Sequence, residues 1–294
     1  MSEMASLYGF EVKTKLPLRR LNAALGTRGE LSIEVAAERL QRPAAEPVST
    51  LVDEQGRCWY ASYELGGGGC LLELPPTGAF LLEPAAGRVI VDSHDGDAEL
   101  LEHRLVSAAV CTLLAMRGDL VLHASAVAVD GRAVLFCGPT QRGKSTLARV
   151  LGEAGHPVLG EDGVAISLDR DGTTAFPGPR GVRVRSRDSE GHPRTTLVAD
   201  PGDDEPAPCR VGAVVLLGER GTALEVESLE PAQALALLTP NLVHSGGRNS
   251  IGGAFNALAS LLGSAPAFSL SLPDDLAALP AATQRMIPLI SHGV

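Results

Sequence analysis

At 294 residues, 45% of them hydrophobic, with a formal charge of −10 and a pI near 5.2, the chain has material for about two domains and an ample core. Its acidic balance excludes broad binding to nucleic acid or to an anionic membrane, both of which rest on Lys and Arg neutralising phosphates. The scattered cysteines Cys58, Cys70, Cys111, Cys137 and Cys209 lack a C-x-x-C pair, and there is no leader pattern or membrane-length apolar run, so a reducing, cytoplasmic setting is expected.

In chain order, residues 7–16 and 31–35 read as strands, the second alternating Leu31, Ile33 and Val35 against Ser32 and Glu34. Residues 36–47 read as an Arg/Pro/Ala-rich connector, and short strands come next at 58–60, 70–74, 79–82 and 89–91, with Gly66 to Gly69 as a hairpin turn or a flexible flap. Residues 1–97 are therefore expected to form a small β-rich N-terminal domain, and 98–294 a second domain. Leu101, Leu105, Ala108, Val110, Leu113 and Leu114 approximate helical spacing over 98–116, with Arg117 and Gly118 as stop signals. Residues 120–129 read as one strand, Asp130-Gly131 as a turn and 133–137 as the returning strand. His123 thus rides beside the segment after Cys137, although a lone His in an apolar strand reads first as a satisfied core residue.

That segment is Gly138-Pro139-Thr140-Gln141-Arg142-Gly143-Lys144-Ser145, a match to G-x-x-x-x-G-K-[ST] between an apolar strand and a helical pattern. The setting separates a nucleotide-phosphate loop from a plain Gly-rich turn. The glycines let successive N–H groups point inward, and the helix start adds about half a positive charge. Lys144 is expected to reach the β- and γ-phosphates of ATP and the Ser145 hydroxyl to sit on Mg²⁺, with Thr146 capping or packing. Only Lys13, Lys15 and Lys144 occur, so the sole lysine beyond the N-terminus stands where such a loop requires one. Cys137, on the strand before the loop, is expected to be buried packing.

Glu161 and Asp162 stand together at a strand end, between 157–160 and a strand at 164–168. Paired acids there suit metal binding and proton acceptance, two separate demands of phosphoryl transfer. Glu219, closing the apolar run 211–217, is the competing acid and ranks second. Arg180, Arg183, Arg185 and Arg187 are concentrated in 175–187, the last three on one face at period two. Guanidinium forks suit phosphate or carboxylate, and a solvated strand face is the alternative. Residues 189–208 read as a surface excursion, succeeded by a helix at 231–238, a Gly-rich loop at 245–253, a helix at 254–262 and a strand at 267–272.

Several phosphate-loop machines are excluded by missing residues. A GTPase base reader needs a lysine after Lys144, His103-Arg104-Leu105 breaks the H-R-D loop of a eukaryotic-type kinase, and His244 to Arg248 lacks the ends of a transporter signature. The order His strand, hairpin, loop, helix, Gly-His, paired acids resembles the HPr kinase/phosphorylase superfamily, specifically the HPr-kinase-related proteins of bacterial peptide-modification and exopolysaccharide gene clusters. The matching residues are Val121-Leu122-His123-Ala124-Ser125, Gly138 to Thr146, and Gly155-His156-Pro157-Val158-Leu159-Gly160-Glu161-Asp162, with looser likeness in Phe176-Pro177-Gly178-Pro179 and Tyr8 to Val12. Two features depart from the family pattern: Gln141-Arg142 in the loop interior, and Glu161 in place of the first Asp.

The resemblance implies an α/β (α+β) fold whose P-loop core is of the HPr kinase/phosphoenolpyruvate carboxykinase type, behind the β-rich N-terminal domain. It implies transfer of phosphate from ATP, with Mg²⁺, to a serine hydroxyl. Carried over by position, His123 is an active-site histidine, Glu161 the general base, and Asp162 a metal holder with Ser145. The expected function is a kinase for a serine or other hydroxyl on a peptide or small protein, such as a lasso-peptide precursor. The alternatives are a non-catalytic nucleotide-binding module and a small-molecule kinase in which Arg180, Arg183 and Arg185 hold an anionic substrate. Neither nucleic acid nor membrane is an expected partner, and assembly of identical copies is left open.

Overall fold

Alternation of apolar and polar residues carries the first third of the chain into one sheet. The computed structural model describes residues 5–23, 27–53, 55–94, 96–169, 172–187, 193–198, 205–246 and 248–291, of which 182–187, 193–198, 248–249 and 291 are described by backbone alone. The strands are β1 (Ala5–Leu7), β2 (Phe10–Thr14), β3 (Asn22–Ala23), β4 (Glu30–Val35), β5 (Ser49–Val52), β6 (Cys58–Glu64), β7 (Cys70–Leu74), β8 (Gly78–Glu83) and β9 (Arg88–Ser93). They are ordered β3-β1-β2-β4-β9-β8-β7-β6-β5, with parallel pairing of β2 to β4 and of β4 to β9. In β4, Leu31 and Ile33 turn inward while Glu30 and Glu34 face water.

The inward face is covered by the expected helix. Asp97 caps it by accepting from Leu100 N, and α1 (Ala98–Arg104) runs through a π turn at Leu105–Ala109 into α2 (Val110–Met116). Leu105, Val106, Val110, Leu113 and Leu114 are fully buried against Leu7, Phe10, Ile33 and Leu72 of the sheet.

The strand expected over 7–16 is broken at Tyr8 and Gly9, both at positive φ (52° and 79°). Tertiary contacts impose the break. Tyr8 N donates to Pro177 O at 2.7 Å, the Tyr8 ring is fully buried with its hydroxyl donating to Val106 O at 3.2 Å, and the Phe176 ring occupies the space a Gly9 Cβ would need.

The second sheet comprises β10 (Leu120–Leu122), β11 (Ala124–Val129), β12 (Arg132–Cys137), β13 (Val158–Gly160), β14 (Val164–Asp169) and β15 (Gly172–Phe176), with α3 (Lys144–Glu153) between β12 and β13. A separate hairpin, β16 (Val182–Arg187) with β17 (Pro193–Val198), runs beside α3. The sheet is completed by β18 (Cys209–Leu217), β19 (Glu225–Leu229) and β20 (Ala267–Ser271), and the helices by α4 (Pro231–Leu238), α5 (Arg248–Leu262) and α6 (Leu279–Ser291). Its path is β10-β14-β15-β18-β12-β11-β13, with β20 parallel to β18 and β19 antiparallel to β20. The chain is thus mixed α/β, with two large sheets and few helices.

The Asp130-Gly131 turn forms as expected, both residues at positive φ (49° and 75°) as a type I′ hairpin turn requires. Two further readings are corrected. The strand expected over 120–129 is two strands, because the chain bends at His123 to leave β14 and join β12 and β13. The Gly-rich loop expected through Gly253 ends earlier, since α5 begins at Arg248. Glycine costs about 1 kcal/mol in a helix, and burial of Leu258, Leu261 and Leu262 from the same helix outweighs it. β3, β5, β17, β19 and α6 were not expected at all, β17 standing inside the 189–208 stretch read as a surface excursion because it pairs with β16; α6 is held by Leu279, Met286 and Ile290, which are buried beside β18 and β20.

A bidentate ion pair is among the contacts that join the sheets. Arg28 forms a bidentate pair with Asp119 at 2.6 and 2.8 Å, its guanidinium lying 4.4 Å from the Phe10 ring centroid and 4.2 Å from that of Phe176. The two side chains are only 20% and 12% exposed. Arg28→Ala strands Asp119 and empties the slot between the rings, so we expect about 2–4 kcal/mol of destabilisation. A thermal melt should show a fall in Tm of roughly 5–10 °C, with Arg28→Lys recovering part of it because it keeps charge without the fork.

Candidate active site

Three strands end on one edge of the second sheet. β12, β18 and β20 run parallel, so Cys137, Leu217 and Ser271 finish side by side, and the loop Gly138 to Gly143 leaves β12 there to enter α3. Gly138 (φ 134°) has no room for a side chain, since a Cβ would stand 2.9 Å from Leu217 O. Gly143 (φ 98°) is the N-cap of α3, and Gln141 is also left-handed at φ 69°, a conformation that costs a non-glycine residue about 1–3 kcal/mol. The Lys144 side chain folds under this loop, Nζ donating to Gly138 O at 2.7 Å and Pro139 O at 3.1 Å. Pro139, Thr140 and Gln141 are exposed, whereas Ser145 and Thr146 are half-buried in the first turn of α3. Leu147, Ala148 and Leu151 anchor that helix in the core with Val127, Phe136 and Val215. Burial pushes the Cys137 thiol up to about 12, which leaves it an inert packing residue.

The same edge receives the histidine and the acids. β11 is antiparallel to β12 and β13 is antiparallel to β11, so the start of β11 and the end of β13 both lie beside the loop. His123 sits at the bend before β11. Its N–H donates to Asn241 O at 2.7 Å, and Asn241 Nδ2 donates back to His123 O at 3.1 Å and to Gly138 O at 3.3 Å. Asn241, 6% exposed, therefore clamps the histidine backbone to the first residue of the loop.

His123 Nδ1 lies 2.9 Å from Asp162 O. A carbonyl only accepts, so Nδ1 carries a proton in this contact. Asp162 is left-handed at φ 63°, and Glu161 beside it is 3% exposed.

A second histidine approaches from the other sheet's helix. His103 Nε2 stands 3.6 Å from Asp162 Oδ2, and its Nδ1 is 3.4 Å from Arg20 Nη1. Arg20, 4% exposed, also donates through Nε to Arg180 O at 2.7 Å and through Nη2 to Gly181 O at 2.9 Å. Arginine only donates, so the Nδ1 of His103 accepts and its Nε2 proton is directed at Asp162. His103 immediately precedes the residue that leads into the π turn, a helix irregularity frequent at functional sites.

No family model matches the chain, and no curated protein matches it. The fold is similar, at a distance, to the Hpr(Ser) kinase/phosphatase from Coxiella burnetii, with a TM-score of 0.34 and 14% identity over 59% of this chain and 99% of that one. An overlap that loose says nothing about chemistry, which rests on the residues themselves.

Of the residues singled out in the sequence, the loop, His123, Glu161 and Asp162 share one sheet edge. Glu219 is also there, but it is 85% exposed and pairs with Arg142 at 3.0 Å. Arg180 pairs with Glu205 at 3.1 Å. Arg183 and Arg185 lie on one face of β16 by register, and their side chains are outside the described residues.

Asn241, His103, Arg20 and Arg220 were missed. Their only sequence signal is a polar residue in an ordinary loop or helix, and burial is what distinguishes Asn241 and Arg20. A surface hollow lined by Asp130, Gly131, His156 and Cys209 lies at the opposite edge of the sheet and holds none of these groups. Among the described residues, no group of three or more His, Cys, Asp or Glu is set to hold a metal ion. No helix among them is long and apolar enough to cross a membrane.

Proposed function

We propose that this chain is an ATP- and Mg²⁺-dependent kinase that transfers the γ-phosphate to a serine or other hydroxyl of a peptide or small protein, on a core of the HPr kinase/phosphoenolpyruvate carboxykinase type. The observation that carries the reading is the convergence on one sheet edge of a glycine-bounded loop closed over Lys144, the bend at His123, and the Glu161-Asp162 turn. A phosphate cradle without an acid would support nucleotide binding alone; a buried carboxylate beside it adds a base.

In this reading the Gly138 to Thr146 segment holds the phosphates, with Lys144 leaving its loop carbonyls for the β/γ oxygens. Glu161 takes the proton of the acceptor hydroxyl as its oxygen bonds to the γ-phosphorus and the bond to the β–γ bridging oxygen breaks. His123, with a proton on Nδ1, holds the turn that carries both acids. The Ser145 hydroxyl and the Asp162 carboxylate are hard oxygen donors, and one or two such ligands together with substrate phosphates suit Mg²⁺. When bound, that ion would neutralise charge on the β- and γ-oxygens. Residues 1–97 are read as the part that recognises the acceptor, and the Arg180, Arg183 and Arg185 stretch as a contact for its anionic groups. A role in tailoring peptide natural products comes from the family resemblance.

The test is incubation with γ-labelled ATP, Mg²⁺ and serine-containing peptides, including any precursor peptide found to be encoded beside this chain's gene. Label on a peptide serine is the expected result. Nucleotide binding without transfer to any peptide or metabolite would instead favour a regulatory module, and label on a small metabolite alone would favour a small-molecule kinase.

A further inference from the structure

β18 and β20 bring a second cation to the loop. After Leu217 the backbone is tied down on both sides of a two-residue excursion, Gly218 N donating to Leu270 O and Gly221 N to Leu272 O, each at 2.9 Å. The two residues between diverge. Glu219 points into solvent and holds Arg142, whereas Arg220 turns onto the loop, its Nη2 standing 2.6 Å from where a Cβ on Gly143 would be. Gly143 is favoured by its left-handed φ of 98°, and the tip of the Arg220 side chain lies over it.

This is an unfavourable place for an arginine in the absence of an anion. Gly143 is the N-cap of α3, the positive end of that helix, and Lys144 comes directly after it. Among the described residues Arg220 makes one hydrogen bond, from Nη1 to Pro273 O at a long 3.3 Å. Most of its five N–H donors are thus left for another acceptor. A planar fork of donors, next to a lysine and a helix N-terminus, matches phosphate oxygens better than anything else the fold offers it.

We infer that Arg220 is a phosphate-binding residue that reaches the polyphosphate from the β18 side, opposite Lys144. This rests on the nucleotide reading above and assigns the second cation of that site.

Calorimetric titration of the full chain with Mg²⁺ and ATP, ADP or AMP tests it. Arg220→Ala should weaken ATP binding by about 10- to 100-fold, the worth of one charge-assisted contact, while AMP binding changes less than about 3-fold, well inside one such contact. Arg220→Lys should recover part of the loss, and a thermal melt of both variants establishes that they are folded. An equal loss for ATP and AMP, or no loss for ATP, would overturn the assignment. Lys144→Ala separates the two levels: if it weakens ATP binding and Arg220→Ala does not, the nucleotide reading stands and this inference fails. If the wild-type chain binds none of the three nucleotides, both fall together.

Discussion

Lys144→Ala should lower phosphoryl transfer by about 10²- to 10³-fold, the usual cost of removing one preorganised donor from a developing oxyanion. In the free protein the Lys144 amine is held on Gly138 O and Pro139 O, 7% exposed, at the mouth of α3. Those carbonyls hold the amine against the loop, so phosphate oxygens would replace acceptors it already uses there. Loss of the amine removes a full charge from that loop. The fold should survive, because Asn241 Nδ2 still donates to Gly138 O and α3 remains anchored by Leu147 and Leu151. The measurement is the rate of label transfer from ATP, together with circular dichroism to establish that the variant is folded. Transfer at the wild-type rate would remove the loop from the mechanism.

Glu161→Gln has the second large expected effect, a fall in kcat of about 10²- to 10⁴-fold, the range for loss of a positioned general base. The substitution keeps volume and shape at a site that is 3% exposed, so packing is preserved while the proton acceptor is lost. ATP affinity should stay near the wild-type value, which distinguishes this variant from Lys144→Ala. Glu161→Asp should recover part of the rate, since it retains a base but withdraws it by about an ångström, a displacement to which near-attack geometry is sensitive. Glu219→Gln is the matched control. That carboxylate is 85% exposed and paired only across the surface with Arg142, an interaction worth about 0–1 kcal/mol. A large loss in Glu219→Gln with none in Glu161→Gln would reverse the assignment of the base.

The arrangement also explains why a β-rich N-terminal region accompanies the loop-bearing sheet. Tyr8 hydrogen-bonds Pro177 O, Arg20 binds Arg180 O and Gly181 O, and His103 approaches Asp162. The segment from Phe176 to Gly181 is thus held from the first sheet. In the kinase reading, a mutation in that sheet can disturb the acids without touching the loop. His103 is the residue through which such a disturbance would arrive.

Residue order was enough wherever the physics is local. The spacing of Gly138, Gly143, Lys144 and Ser145 between an apolar strand and a helix is a property of eight consecutive residues, and the loop stands there between β12 and α3. The Asp130-Gly131 turn, the helix start near Ala98 and the alternation in β4 are legible for the same reason: each depends on backbone preference and burial within one turn or one strand.

Long-range packing set the remainder. The bend at His123 comes from exchanging β14 for β12 and β13 as partners, which nothing within 120–129 encodes. The π turn, the early start of α5 among glycines, and the convergence of Asn241, His103, Arg20 and Arg220 on the loop and its acids depend on which surfaces are buried together. Residues as far apart as 20 and 180 meet there because two sheets pack on one helix and are tied by joints such as the Arg28 slot. Sequence spacing carries no information about such meetings, since the free energy that makes them comes from area buried between elements rather than from the preferences of any one element.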